Sequence, residues 1–179
     1  WYLAERARAE APYIVRISVY SGNLAIFWKS VQDAFARAGF AFLREYDCPT
    51  DGASGGLLID DLCHALTGEK SCYIFIDDFH LLTDKRAPGF LCALAGRLPP
   101  NVHLILASRD LFLPAAELVR LGGKVYQIGT AQLRLNHTEL AVYTKRCGTA
   151  LSDEQIDTLL YYSEGWFSAV YLNLRMFSE

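Results

Sequence analysis

The apolar positions of this chain follow two rhythms, short unbroken runs and longer stretches spaced by three and four. Tyr13-Ile-Val-Arg-Ile-Ser-Val-Tyr20 is β-branched and aromatic, which predicts a strand. From Asn23 onward Leu24, Phe27, Trp28, Val31, Phe35 and Ala38 fall on one helical face, and Gly39 closes the pattern. Asp47 to Gly56 collects Pro, Asp, Ser and Gly and reads as a loop before a helix over Leu57 to Leu66. Cys72-Tyr-Ile-Phe-Ile-Asp77 is apolar without alternation, as a strand buried on both faces of a parallel sheet should be. Val102-His-Leu-Ile-Leu-Ala107 repeats that character after Pro99-Pro100-Asn101, with a helix from about Pro88 to Leu98 between the two runs. A shorter helix over Pro114 to Leu121 ends at Gly122-Gly123, and Lys124-Val-Tyr-Gln-Ile128 predicts one more short strand. Ahead of all these, Tyr2 to Ala11 reads as the end of a helix stopped by Pro12.

Strand alternating with helix is the cadence of right-handed crossovers in a parallel sheet. After Gly129 the cadence changes. Asn136 with Glu139, and Ser152 with Gln155, have the capping-box spacing that starts a helix, and a last helix runs from about Trp166 to Phe177. The expected fold class is therefore α/β, a parallel sheet with flanking helices over residues 1–130, followed by a small all-helical unit over residues 131–179.

Composition narrows the function classes. Apolar residues make up 52% of the 179 positions and charged residues 21%, which describes a globular chain. Lys and Arg number 17 against 20 Asp and Glu, for a net charge of −3, so a surface that holds nucleic acid mainly by positive charge is not expected. The apolar runs stop far short of the roughly 18 to 20 residues a membrane helix needs. No membrane partner is expected. Cys48, Cys63, Cys72, Cys92 and Cys147 are widely spaced with no C-x-x-C, the usage of reduced thiols in a cytoplasm rather than of a disulfide framework or a zinc site. The chain opens on Trp1 and its one methionine is Met176, so it is expected to start inside a longer protein.

Chemistry concentrates where the two apolar runs end. Ile74-Phe-Ile-Asp77-Asp78 delivers two carboxylates at the carboxyl end of a buried strand, the place where open α/β sheets bind ligands. In phosphoryl-transfer sites a first carboxylate holds Mg²⁺ and a second acidic group polarises the attacking water. This run resembles a Walker B motif. One strand away, Leu104-Ile-Leu-Ala-Ser108-Arg109 places a hydroxyl and a guanidinium at the same edge, and an Arg fork matches phosphate geometry. The competing account is a solvated strand end with two aspartates starting a turn, and an exposed Arg109 capping or pairing with Asp77 or Asp78.

Together these residues resemble the signal-transducing P-loop ATPases (STAND) of the MalT-like, large LuxR-type transcription activators. The resemblance rests on Tyr73 to Leu82, on Leu98 to Arg109, on the Leu133-Arg-Leu-Asn-His-Thr-Glu139 entry to the helical unit, and on Ser163-Glu-Gly165-Trp166. It implies a P-loop NTPase-like sheet with a helical lid and a regulatory switch that binds ATP and hydrolyses it slowly. Asp77 would hold Mg²⁺, Asp78 would act as the catalytic carboxylate, and Asp77, Asp78, Ser108 and Arg109 would face the nucleotide. The lid would shift with ATP or ADP, self-association would accompany activation, and DNA would be bound by a separate domain. The alternatives are a non-catalytic interaction domain with an NTPase-like sheet, and an AAA-like motor subunit that would need an Arg finger for its neighbour.

One departure from the family is large: the chain has no Gly-rich phosphate loop of the Walker A form. Gly68-Glu-Lys70-Ser71 feeds a strand rather than a helix, and Gly122-Gly123-Lys124-Val125 has Val where a hydroxyl is needed. If Trp1 to Ala11 is the helix that follows the loop in this family, the loop and its strand lie upstream of Trp1, and this stretch alone is expected to be inactive. Two other patterns are decoys. Gly52-Ala-Ser54-Gly-Gly56 matches the nucleophile-elbow spacing but is led in by Pro49-Thr50-Asp51 rather than by a strand. His64, His80, His103 and His137 have no metal-ligand spacing. Trp28, Phe35, Trp166 and Tyr171 fall on apolar helical faces and read as core, and Tyr161-Tyr162 as half-exposed packing.

Overall fold

A computed structural model describes residues 11–111 and 113–176 of the chain. The helix expected over Tyr2 to Ala11 lies outside the described residues, apart from Ala11 itself. Three parallel strands, β1 (Tyr13–Ser18), β2 (Cys72–Asp77) and β3 (Val102–Leu106), form a sheet in the order β1-β2-β3. Tyr13 pairs with Cys72 and Cys72 with Val102, and the register continues without a bulge to Ser18, Asp77 and Leu106. The unbroken apolar run is the middle strand, where Cys72, Tyr73, Ile74 and Ile76 are all buried.

Helix α1 (Leu24–Arg37) follows β1 and is capped by Asn23, whose Oδ1 accepts the Ala25 amide at 2.9 Å. Its buried face, Val31, Ala34 and Phe35, joins Val15, Ile17, Ile74 and Ile76 in the sheet core. A 3₁₀ turn over Ala41–Glu45 leads to helix α2 (Gly52–Leu66). This helix starts five residues before the expected Leu57, because Asp51 and Ser54 close a capping box and Gly55 is buried with Phe90 nearby. Tertiary packing outweighs the loop-like composition of those residues. Helix α3 (Arg86–Arg97) joins β2 to β3, and helix α4 (Ala115–Leu121) follows β3.

Lys124 to Ile128 is not a strand. Gly122–Lys124 forms a 3₁₀ turn and Val125 to Ile128 is irregular, with Tyr126 82% and Ile128 53% exposed. Strand propensity describes how a side chain fits a pleated surface, and among the described residues no strand pairs with this segment.

The chain divides into two compact units, one through Val125 and one from Tyr126 onward. The second unit is helical among its described residues. It holds the single turn α5 (Thr130–Leu133), then α6 (His137–Arg146), α7 (Asp153–Ser163) and α8 (Phe167–Met176). Leu140, Ile156, Leu159, Val170 and Leu174 form its core. Both expected capping boxes are present: Asn136 Oδ1 accepts the Glu139 amide at 2.9 Å, and Gln155 Oε1 accepts the Ser152 amide at 2.9 Å. Phe35 is buried as expected, whereas Trp166 is 39% and Tyr171 44% exposed, and each ring faces an arginine, Arg134 and Arg175.

Candidate functional site

Parallel pairing carries the ends of neighbouring strands to one edge, and here that edge holds the four residues singled out above. Ile76 pairs with Leu106, so Asp77 and Asp78 leave the sheet beside Ala107, Ser108 and Arg109. Three backbone bonds lock the exit. The Val19 amide donates to Asp77 O at 3.0 Å, the Ala107 amide to Ile76 O at 2.9 Å, and the Phe79 amide to Ala107 O at 3.0 Å. A tight 3₁₀ turn, Phe79–Leu81, then buries Phe79 beneath the edge.

The two carboxylates differ. Asp77 Oδ1 accepts the Asp78 amide at 2.9 Å, which fixes its orientation and leaves Oδ2 toward solvent as a hard oxygen donor. Asp78 adopts the left-handed conformation, with φ 56° and ψ 34°, which Asp tolerates better than most residues. Ser108 Oγ accepts the Asp110 amide at 3.3 Å and is partly buried, while Arg109 is exposed. Asp77 and Asp78 are likewise exposed and open the Phe79–Leu81 turn, as the competing account expects, while among the described residues no ion pair joins Arg109 to either of them.

His80 belongs to this edge although its spacing gave no reason to select it. Its side chain is 13% exposed, and Nδ1 lies 4.0 Å from Asp78 Oδ1, buried and without a hydrogen-bond partner among the described residues. The 3₁₀ turn folds it back under Asp78. That turn carries no composition signal strong enough to read beforehand.

The decoys resolve locally. The Ser54 amide donates to Asp51 Oδ1 at 2.8 Å and Ser54 Oγ donates to it at 3.0 Å within the first turn of α2, and these contacts hold the Asp51 carboxyl below its usual range. Ser54 is thus a helix-start residue, with no strand leading into it. No group of three or more His, Cys, Asp or Glu with metal-binding geometry occurs among the described residues. All five cysteines are free, and burial pushes the Cys72 thiol up to about 11. No described helix is long and apolar enough to cross a membrane.

In the helical unit the two remaining motif segments meet. Leu135 donates its amide to Gly165 O at 2.8 Å, and Arg134 pairs with Glu164 at 3.2 Å while lying over the Trp166 ring. Gly165 has φ +75°, and a Cβ there would sit 2.6 Å from Leu135 O, so glycine is required by both torsion and space. The Leu133 to Glu139 entry and the Glu-Gly-Trp turn therefore form one structural joint.

No family model matches the chain. Among known proteins it is similar to the HTH-type transcriptional regulator MalT of Vibrio parahaemolyticus, with 24% identity over 104 residues, 58% of this chain and 12% of that protein. The MalT regulator of Yersinia pestis is 29% identical over 101 residues, 56% of this chain and 11% of that protein. The resemblance drawn from the motifs is thus matched by direct alignment, and what the chain resembles is a stretch of about an eighth of a MalT-type regulator's length.

Proposed function

We propose that the chain is part of an ATP-binding switch in a transcriptional regulator, with the nucleotide at the carboxyl edge of the sheet. The observation that carries this reading is the juxtaposition of Asp77-Asp78 with Ser108-Arg109 on adjacent parallel strands. Similarity to a relative named as an HTH-type transcriptional regulator supports the regulatory role, and in this reading DNA is bound by a separate domain.

The donor set fits Mg²⁺, which is usually held by one or two carboxylates together with substrate phosphates and water. Asp77 has one oxygen fixed by a backbone amide and one free, suited to a hydrated ion. When bound, Mg²⁺ supplies charge neutralisation between the phosphates. Asp78 accepts a proton or orients water, Arg109 engages the terminal phosphate by its fork, and Ser108 adds a hydroxyl contact. The helical unit responds to ATP or ADP, and slow hydrolysis resets the state.

Titration of Mg-ATP into the full-length protein, and into its Asp77→Asn variant, tests the metal assignment. The variant is expected to bind Mg-ATP about tenfold more weakly, the scale of one lost charge-assisted contact. Equal affinity would remove Asp77 from the metal site. Arg109→Ala is expected to bind ADP normally and to lose most of its preference for ATP, and an unchanged preference would place the terminal phosphate elsewhere.

A further inference from the structure

A mainly apolar void in the sheet unit lies away from these four residues. Between the sheet and helices α1, α2 and α3 is a cavity of about 330 Å³, floored by Ile17, Ile74 and Leu104 and walled by Phe27, Trp28 and Phe90. Its polar lining residues, Thr50, Asp51, Arg86 and Arg97, are all solvent-exposed and form a rim. Protein interiors carry few voids larger than a water molecule, and apolar cavities of about 150 Å³, less than half this one, stay dry and admit benzene.

The cavity is framed by polar bonds that do not depend on packing across it. The buried Gln32 side chain donates from Nε2 to Leu43 O at 3.0 Å and to Tyr46 O at 2.9 Å, and Trp28 Nε1 donates to Tyr46 O at 3.0 Å. Arg86 Nη1 reaches Thr50 O at 3.5 Å, so the segment from Leu43 to Thr50 is pinned at several points. Glycine is among the least favourable residues inside a helix, yet Gly55 and Gly56 of α2 and Gly89 of α3 all border the void. At Gly56 and Gly89 a Cβ would meet nothing within 4 Å. The rim cations are already matched, Arg86 to Asp84 at 2.7 Å and Arg97 to Asp60 at 2.9 Å. An anionic guest would find no unpaired rim cation, the rim carboxylate Asp51 is engaged by the Ser54 amide at 2.8 Å and hydroxyl at 3.0 Å, and the aromatic walls favour a ring.

We propose that this cavity is a binding site for a small, neutral, ring-containing apolar molecule. The site is separate from the four nucleotide-edge residues and does not rest on the nucleotide reading. Its occupant ties α1, α2 and α3 to the sheet floor, so binding stabilises the sheet unit by mass action.

N-phenyl-1-naphthylamine, a neutral two-ring fluorophore with a pendant phenyl group, is the probe. Titrated into the chain, it should show saturable fluorescence enhancement with one site, accept energy from Trp28, and raise Tm by several degrees at saturation. Ala93→Phe and Gly56→Leu fill the cavity from α3 and α2 respectively. Each is expected to weaken probe binding at least tenfold while far-UV circular dichroism stays native. Tyr162→Ala, which removes an exposed ring from the helical unit, should leave the affinity unchanged. The proposal is overturned by absence of saturable binding or of a Tm rise in the unsubstituted chain, a result that needs no variant to fold. It is equally overturned if a natively folded filled variant binds the probe as tightly as the parent, or if Tyr162→Ala abolishes binding.

Discussion

The sheet unit and the helical unit are held together over different distances along the chain. In the helical unit the decisive contacts span three residues, as in Asn136 with Glu139 and Ser152 with Gln155, and the joint at Gly165 closes on Leu135. In the sheet unit Tyr13 must find Cys72, Cys72 must find Val102, and Asn101 Nδ2 must reach back to Leu66 O at 2.9 Å and Lys70 O at 2.8 Å. Local caps therefore start the helices of one unit, whose Gly165 joint still closes on a residue distant in the chain, while the sheet of the other is built wholly from such distant partners.

Truncation of the sheet core should have the largest effect. Ile74→Ala removes a side chain 2% exposed at the centre of the middle strand and should cost about 4 kcal/mol in urea unfolding, the range of buried Ile or Leu to Ala changes. Gly165→Ala should cost about 3 kcal/mol, through a disallowed torsion and a clash with Leu135 O, and hydrogen exchange should localise the loss to the helical unit. If exchange in β2 accelerates as much as in α6, the division between the units is wrong. Asn136→Ala deletes one cap and should cost about 1 kcal/mol, with Asn136→Asp restoring most of it.

Acid should expose the smallest effect. Hydrogen bonds from the Arg86 guanidinium and amide hold the Asp84 carboxyl down to about 2, below the roughly 3.9 of an unfolded chain. A depressed folded value means that the contribution is present above pH 4 and is lost as pH falls toward 2. Asp84→Asn should therefore flatten that part of the stability profile and lower stability at pH 7 by the same small amount, small because Arg86 is mostly in solvent, with parent and variant converging near pH 2. A variant whose acid limb retains the parent slope would assign that proton uptake to another carboxyl group.

The same contrast explains what could be read from the sequence. Among the described strands β2 and β3 were legible because a nearly unbroken apolar run has few other uses and β1 because it is β-branched and aromatic, and the helix starts at Asn23, Asn136 and Ser152 because a cap lies within four residues of what it caps. The start of α2 was not legible, since Gly52, Gly55 and Gly56 favour a loop until Phe90 and the Asp51 cap are in place. Lys124 to Ile128 has strand residues without a strand neighbour, which composition cannot report. At the candidate site, Asp77, Asp78, Ser108 and Arg109 share an edge because they end adjacent runs, whereas His80 enters through a 3₁₀ turn that folds it under Asp78. The apolar cavity was invisible, because its floor and walls look like any other core positions one residue at a time.

The left-handed backbone of Asp78 sets a conflict between composure and use. At φ 56° a glycine would rest without steric penalty, while a side chain there costs about 1 kcal/mol. The chain nonetheless carries a carboxylate at this position, on the exposed rim of its most tightly paired strand. A substitution to glycine should thus make the protein harder to unfold while stripping the edge of one of its two carboxylates, the trade that the role proposed for Asp78 entails.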